Sequence, residues 1–302
     1  MRFKHCICYR VAPGWYANLA LAEAQLQAQR FVPCSPTQES SAGWVEPRGQ
    51  QEGPLLESVA GQWLLEYLVE SKTVPASVVR RKLDERCAQI ERQAGRKPGK
   101  KERQQLKEDI THELLPMAFS RFARVAVWID STGLRLSLNT SSQARADEVV
   151  TALVKALDGF GVTAFHTQTE PSGAMAAWLA DGGEDLYEAH GFTIDRECEL
   201  KATDDSKAVV RYGRHPLDIE EVRQHIAQGK RPTRLALTWE DRVSFELTEG
   251  LQLRKLRFLG GVFDGTDLTQ ADAFDTDAAI VTAELGKLLP ALLEALGGEV
   301  RA

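Results

Sequence analysis

Two apolar stripes of helical period, placed back to back around a short Gly/Pro turn, constrain this chain more than any other feature. Val74, Val78, Val79, Leu83, Cys87 and Ile90 form the first stripe, which begins beside Pro75. A proline is tolerated at a helix start because its missing N–H has no partner in the first turn. The stripe stops before Gly95, Pro98 and Gly99, which read as a turn. Leu106, Ile110, Leu114 and Leu115 then resume the period, and Pro116 ends it. The spacing predicts two antiparallel helices that cover each other's apolar sides. At 1.5 Å per residue each is roughly 25–30 Å long, so the hairpin is expected to project from the body.

The same segment is electrically unlike the rest of the chain. The 302 residues carry a net charge of −6. Between Arg80 and Asp109, eleven Lys/Arg oppose six Asp/Glu, a local +5 that leaves −11 for the remainder. A second basic run spans Lys207 to Arg234, with Arg211, Arg214, Arg223, Lys230 and Arg231 between. Phosphates attract such clusters, and neutralising them releases condensed counterions. An acidic remainder repels nucleic acid from the outer surface and confines attraction to one face or channel. The bland alternative is a solvated helix face, the usual fate of a charge run. No zinc finger and no RNP-like aromatic motif is present, so any contact is with phosphates and independent of base sequence.

Elsewhere, strands and helices come in clusters. Strands are expected at Phe3–Val11, Gln62–Val69, across a hairpin from Ser120 to Leu138, at Phe192–Leu200 and Ala208–Arg214, and in a meander from Thr233 to Leu259. Helices are expected at Ala17–Arg30, from a cap at Ser141 or Ser142 to about Leu157, near Met175–Ala180, and from Pro216 to Gln228. A last helix is expected to be capped near Asp275–Asp277 and kinked at Pro290. "FVPCSPTQESSAG" reads as loop. This clustering predicts an α+β fold with antiparallel sheets and flanking helices.

Catalytic signals are sparse. "GRKPGKK" fails as a phosphate loop, because three residues rather than four separate its glycines and Lys101 stands where Ser or Thr must hold magnesium. The six histidines show no H-x-x-x-H spacing, and no G-x-S-x-G elbow occurs. Asp264, Asp267, Asp272, Asp275 and Asp277 suggest a magnesium-dependent nuclease or nucleotide hydrolase as an alternative, against a simpler role at a helix N-terminus. The five cysteines are odd in number and scattered, so free thiols in a reducing cytoplasm are expected rather than a disulfide or zinc site. No cofactor is implied. The N-terminus lacks signal-peptide character and no stretch matches a membrane span, so a soluble chain is expected.

The stretch "GRKPGKKERQQLKEDITHELLPMAFSRFARVAVWID" resembles the RdgC family of bacterial recombination-associated proteins. "RFVPCSP", "AGWVEPRG", "IAQGKRPTRLALTWEDRVSFEL" and "DTDAAIVTAELGKLLPALLEALGGE" extend the likeness in order over essentially the full length. The resemblance implies a ring-shaped homodimer held by two interfaces around a central hole. It implies binding of double-stranded and also single-stranded DNA without sequence preference, antagonism of RecA, association with the nucleoid, and no enzymatic activity. It divides the chain into a central domain at 1–74 and 119–165, a hairpin tip at 75–118, a base region at 166–232, and a meander and helix at 233–302 that complete the body.

Carried over position by position, the family's ring-closing phenylalanine falls on Phe119. A basic-polar pair, Lys-Gln in the family pattern, falls on Arg214 and His215, a departure in which Arg214 keeps the charge and His215 can still donate one hydrogen bond. Met117 stands where a basic residue can occur. The candidate DNA-contacting set is Arg81, Lys82, Arg86, Arg92, Arg96, Lys97, Lys100, Lys101, Arg103, Lys107, Arg121, Arg211, Arg214, His215, Lys230 and Arg231.

Overall fold

A computed structural model describes residues 2–263 and 270–300, with backbone only at 270–272. The first half of the chain builds one antiparallel sheet from β1 (Ile7–Val11), β2 (Ser40–Val45), β3 (Leu56–Val59), β4 (Gln62–Lys72), β5 (Ser120–Asp130), β6 (Arg135–Leu138) and β7 (Val162–Ala164). The path is β2-β4-β5-β6-β1-β7, and β3 shares the outer edge of β4 with β2. Helices α1 (Leu19–Gln27) and α4 (Gln143–Ala156) cover one face. Asn18 and Ser142 cap them through side-chain oxygens, as the preference for such residues at helix starts requires.

Between β4 and β5 the chain leaves the sheet as α2 (Ala76–Ala94) and α3 (Lys100–Leu114) and returns through a short 3-10 turn at Leu115–Met117. This is the expected hairpin, with helix limits close to those read from its stripes. The two strands that flank it pair from Trp63 with Ile129 up to Lys72 with Ser120, so the root of the hairpin is closed by sheet hydrogen bonding.

The second half adds α5 (Pro171–Asp181), α6 (Glu184–His190), β8 (Phe192–Ala202), β9 (Val209–Gly213), α7 (Glu220–Ala227), β10 (Lys230–Trp239), β11 (Val243–Thr248), β12 (Leu253–Phe258) and α8 (Gln270–Ala295). Its strands form a five-stranded antiparallel sheet in the order β12-β11-β10-β8-β9. The expected boundary between 166–232 and 233–302 falls inside β10, which pairs with β8 on one side and β11 on the other. Those two segments therefore share a sheet. The α+β class and antiparallel pairing agree with the sequence reading.

Burial explains why β4 and β5 read as near-continuous apolar runs. Leu65, Tyr67, Val69, Val125, Val127 and Ile129 face the core beneath α1 and α4. Their alternates Leu64, Ala126 and Trp128 face a second core shared with α8 and the five-stranded sheet. The two sheets also meet through backbone. Cys6 N–H donates to Leu253 O at 2.7 Å, Leu253 N–H returns to Cys6 O at 2.9 Å, and Leu256 N–H reaches Lys4 O at 2.9 Å.

The start of α8 corrects one expectation. Asp275 and Asp277 do not cap the helix, which is already formed at Gln270. They project from it as ion-pair partners, Asp275 to Arg48 at 2.6 Å and Asp277 to Arg2 at 3.0 Å. The helix continues through Pro290 to Ala295. Strand β2 begins inside the expected loop "FVPCSPTQESSAG", whose last four residues, Ser40 to Gly43, are its first four, and its composition explains why it is hard to read. "SSAGWV" has no clean alternation, and a Cβ on Gly43 would lie 2.6 Å from the Phe31 backbone, so glycine is required where that loop passes. Among the described residues no helix is long and apolar enough to cross a membrane.

Trp128 is 1% exposed, donates from Nε1 to Gln62 Oε1 at 2.7 Å, and lies where β5 meets Gly286 of α8. Replacing it with alanine opens a large cavity and is expected to cost about 3–5 kcal/mol of stability. Urea titration of Trp128→Ala against the parent checks this; a loss below about 1 kcal/mol would mean that the β5–α8 contact is not a core junction.

Candidate nucleic-acid interface

The hairpin is held by its own small core. Val79, Ile110 and Leu114 are buried together, with Val74, Val78 and Leu83 packed against them. The turn is set locally. Gly95 takes a left-handed φ of 67° to end α2, and its N–H donates to Glu91 O. Glu102 accepts from the Gly99 N–H at 3.3 Å and so satisfies a donor left over at the start of α3. Arg96 donates to the same carboxylate at 2.7 Å and holds its pKa below the ordinary value. Helices α2 and α3 pack on each other and on the 3-10 turn, and on no other described element to a comparable extent.

Every acid between Arg80 and Asp109 is occupied inside the hairpin. Arg103 lies 3.6 Å from Asp84, Arg81 4.0 Å from Glu85, and Lys97 3.9 Å from Glu91. Arg96 takes Glu102, while Gln104 and Gln105 donate to Glu108 and Asp109. Arg86 reaches across to Glu113 at 3.2 Å. Among the described residues, no carboxylate stands within 4.0 Å of Arg80, Lys82, Arg92, Lys100, Lys101 or Lys107. Of these six, Arg92 donates to Ala88 O at 3.3 Å, and only Lys82 is half-buried rather than exposed. The positive excess of the composition is thus a set of uncompensated side chains on one arm, which the ion-pair geometry identifies and the sequence did not.

At the foot of the arm stands an exposed apolar group. Phe119 is 92% exposed, Met117 68% and Phe122 60%. Packing within this chain does not account for Phe119, so its exposure fits a surface that another molecule covers. Beside it, Arg121 has no acid within ion-pair distance among the described residues, whereas Arg124 is tied to Glu66 at 2.6 Å.

The second basic region lies on the five-stranded sheet and is more heavily neutralised. Arg211 and Arg234 both bond Glu199, and Thr233 donates to it at 2.8 Å. Lys230 approaches His225 Nδ1 at 3.0 Å. Arg214 and Arg231 remain exposed without an acid among the described residues. Arg214 sits just past β9 with φ of 58°, an uncommon conformation for a long side chain, and the next residue's N–H is pinned to Arg196 O at 3.1 Å. His215 Nδ1 is 2.7 Å from Pro216 O, a carbonyl that can only accept, so Nδ1–H is the donor of this hydrogen bond. The pair recognised in the sequence is therefore displayed at one sheet end.

A family profile described as "Putative exonuclease, RdgC" matches residues 1–299. The chain is 43% identical over 306 residues to the recombination-associated protein RdgC of Dechloromonas aromatica, covering 99% of both chains. It is 42% identical over 305 residues to that of Cupriavidus necator, covering 100% of both, and 39% identical over 304 residues to that of Bordetella pertussis, again covering 100% of both. The chain belongs to the RdgC family.

A metal-dependent exonuclease needs paired carboxylates, and in this RdgC-family chain the candidates lie at Asp264 to Asp277. Asp264 and Asp267 lie outside the described residues, as does the Asp272 side chain. Asp275 and Asp277 face arginines, and Arg48 is shared with Glu57 at 2.9 Å and stacks over Phe274. Among the described residues no group of three or more His, Cys, Asp or Glu is placed to hold a metal ion.

Glu199 gives the second basic region a pH signature. Burial alone would raise its pKa, but hydrogen bonds from Arg234, Arg211 and Thr233 outweigh it and bring the group from 4.5 to about 2. A depressed carboxyl stabilises the fold above its unfolded pKa, and that contribution disappears as pH falls through the folded value. Stability of the parent should therefore drop between pH 4.5 and about 2, and Glu199→Gln should drop less over that window. Urea midpoints at about pH 6 and about pH 3 measure the difference; parallel slopes in the two proteins would remove Glu199 from the account.

Proposed function

We propose that this RdgC-family protein binds double-stranded DNA, and also single strands, without reading sequence. In this reading it closes around duplex as a ring-shaped homodimer and limits RecA-dependent recombination by occupying the DNA that RecA needs. Association with the nucleoid follows from non-specific binding. The observation that carries the reading is the set of six cations that no carboxylate of the described residues approaches, on an arm that packs on little else. Lys and Arg on helix surfaces suit phosphate contact, and their affinity derives from counterion release. The exposed Phe119 at the arm's foot supplies an apolar anchor of the kind that dominates protein interfaces, here between two copies of the chain. Arg214 and Arg231 add positive charge from the other sheet.

Replacing Lys100, Lys101 and Lys107 with alanine removes three phosphate contacts. The expected result is weaker binding to random duplex and a log–log salt slope flatter by roughly 2–3. An unchanged slope would take the arm off the contact surface. Incubating the parent with DNA and Mg²⁺ tests the exonuclease reading directly, because degradation abolished by Asp275→Ala would replace a binding function with an enzymatic one.

Ring closure predicts a second behaviour. A closed ring slides off linear duplex but is retained on a covalent circle, so residence on the circle should be longer. Phe119→Ala should abolish the difference while leaving initial binding close to that of the parent. Competition dissociation from circular and linear forms of one plasmid measures this, and equal lifetimes for the parent would argue for an open clamp.

A further inference from the structure

Cys6 and Cys8 lie two residues apart at the start of β1, and their Sγ atoms are 3.2 Å from each other. Neither is in a disulfide. Alternation along a strand places both on one face, and the pair touches the core between the two sheets. Cys6 is fully buried. Cys8 is half-buried and lines a narrow apolar crevice together with Phe165, Leu251, Leu253, Leu289 and Leu292. Cys8 Sγ also lies 3.5 Å from Ser137 Oγ on β6. The other thiols are single: Cys34, Cys87 and Cys198 stand on separate elements.

Position gives this pair its consequence. Cys6 is the residue whose backbone exchanges two hydrogen bonds with Leu253, joining the first sheet to β12. Cα atoms two residues apart on an extended strand are separated by about 6.5–7 Å. A disulfide spans about 4.4–6.8 Å, most often 5.5–6 Å. Bonding Cys6 to Cys8 therefore draws the strand in by up to ~1 Å at the link between the sheets.

We propose that Cys6 and Cys8 form a modification site at which hydrogen peroxide closes an intrachain disulfide, loosening the junction between the two sheets. The Cys8 thiolate attacks one peroxide oxygen, so that an S–O bond forms and the O–O bond breaks. The departing hydroxide takes the Cys6 proton and leaves as water. The Cys6 thiolate then attacks the Cys8 sulfur, forming the S–S bond and expelling hydroxide, which recombines with the proton Cys8 had released. Two thiols and one hydrogen peroxide thus become one disulfide and two waters, with both electrons coming from sulfur. The neighbours suit this order of events. A hydrogen bond from Cys6, with help from Ser137 and the Arg135 charge, lowers the Cys8 pKa despite burial, whereas that of Cys6 is raised. The reacting thiol is the one nearer solvent, and the resolving thiol is already in contact with it.

Trypsin releases both cysteines in one peptide, His5 to Arg10, because Lys4 and Arg10 flank them. The full chain is treated with hydrogen peroxide, blocked with N-ethylmaleimide under denaturing conditions, and mapped by mass spectrometry. The expected product is that peptide lighter by two hydrogens and unalkylated, reverting on dithiothreitol. Amide exchange at Leu253 should become roughly tenfold faster in the oxidised protein and recover on reduction. Cys8→Ser should abolish both responses, and Cys34→Ser should leave both intact. The proposal is overturned if the His5–Arg10 peptide stays doubly alkylated while Cys34 or Cys198 reacts. It is equally overturned if the disulfide forms but Leu253 protection does not change.

Discussion

Pairing of β4 with β5 is the contact on which the rest of the molecule depends. Ten residue pairs in unbroken antiparallel register, Trp63–Ile129 through Lys72–Ser120, hold the two strands together. Side chains on one face build the core under α1 and α4, and those on the other face meet α8 and the second sheet. A slip of one residue would turn every inward side chain outward on both faces at once, so the register is specified twice. The same ladder clamps the root of the α2–α3 arm, which enters the sheet as an insertion between its two longest strands.

Charge in this protein is organised by what each cation finds nearby. On the arm, acids are too few and are consumed by local partners, which leaves Lys100, Lys101 and Lys107 open to solvent. On the five-stranded sheet the reverse holds. Glu199 binds two arginines, while Glu197 and Glu246 both hold Lys255. That face is a mixed lattice of opposite charges in a groove lined by Asp195, Arg196, Arg214 and Arg257. Its long-range field is weak compared with that of the arm, because charges of opposite sign within a few ångströms cancel beyond a Debye length of about 8 Å. Two regions with similar basic composition therefore present different electrostatic surfaces.

The hairpin was legible because its information is local. A helical apolar period, a Gly/Pro turn and a terminating proline determine two helices without reference to distant residues. Long-range partners were less accessible. Gly43 reads as a loop breaker, yet it is required because Phe31 passes against β2. Asp275 and Asp277 read as caps or metal ligands, and their arginine partners are Arg48 and Arg2, more than 220 positions earlier. Sequence also ranks Arg211 with Lys100 as equal candidates. Only the fold shows that β8 brings Glu199 against the former and that no acid of the described residues approaches the latter.

The arm's separate core has an evolutionary implication. Val79, Ile110 and Leu114 contact neither of the two larger cores, and the arm's root ends in a closed strand pair. Adding or removing matched helical turns in α2 and α3 would alter its reach by about 5.4 Å per turn without repacking the body. Descendants of such a protein can thus change span through paired insertions and deletions at the tip alone, so length variation among relatives should concentrate there while the sheets keep a constant register.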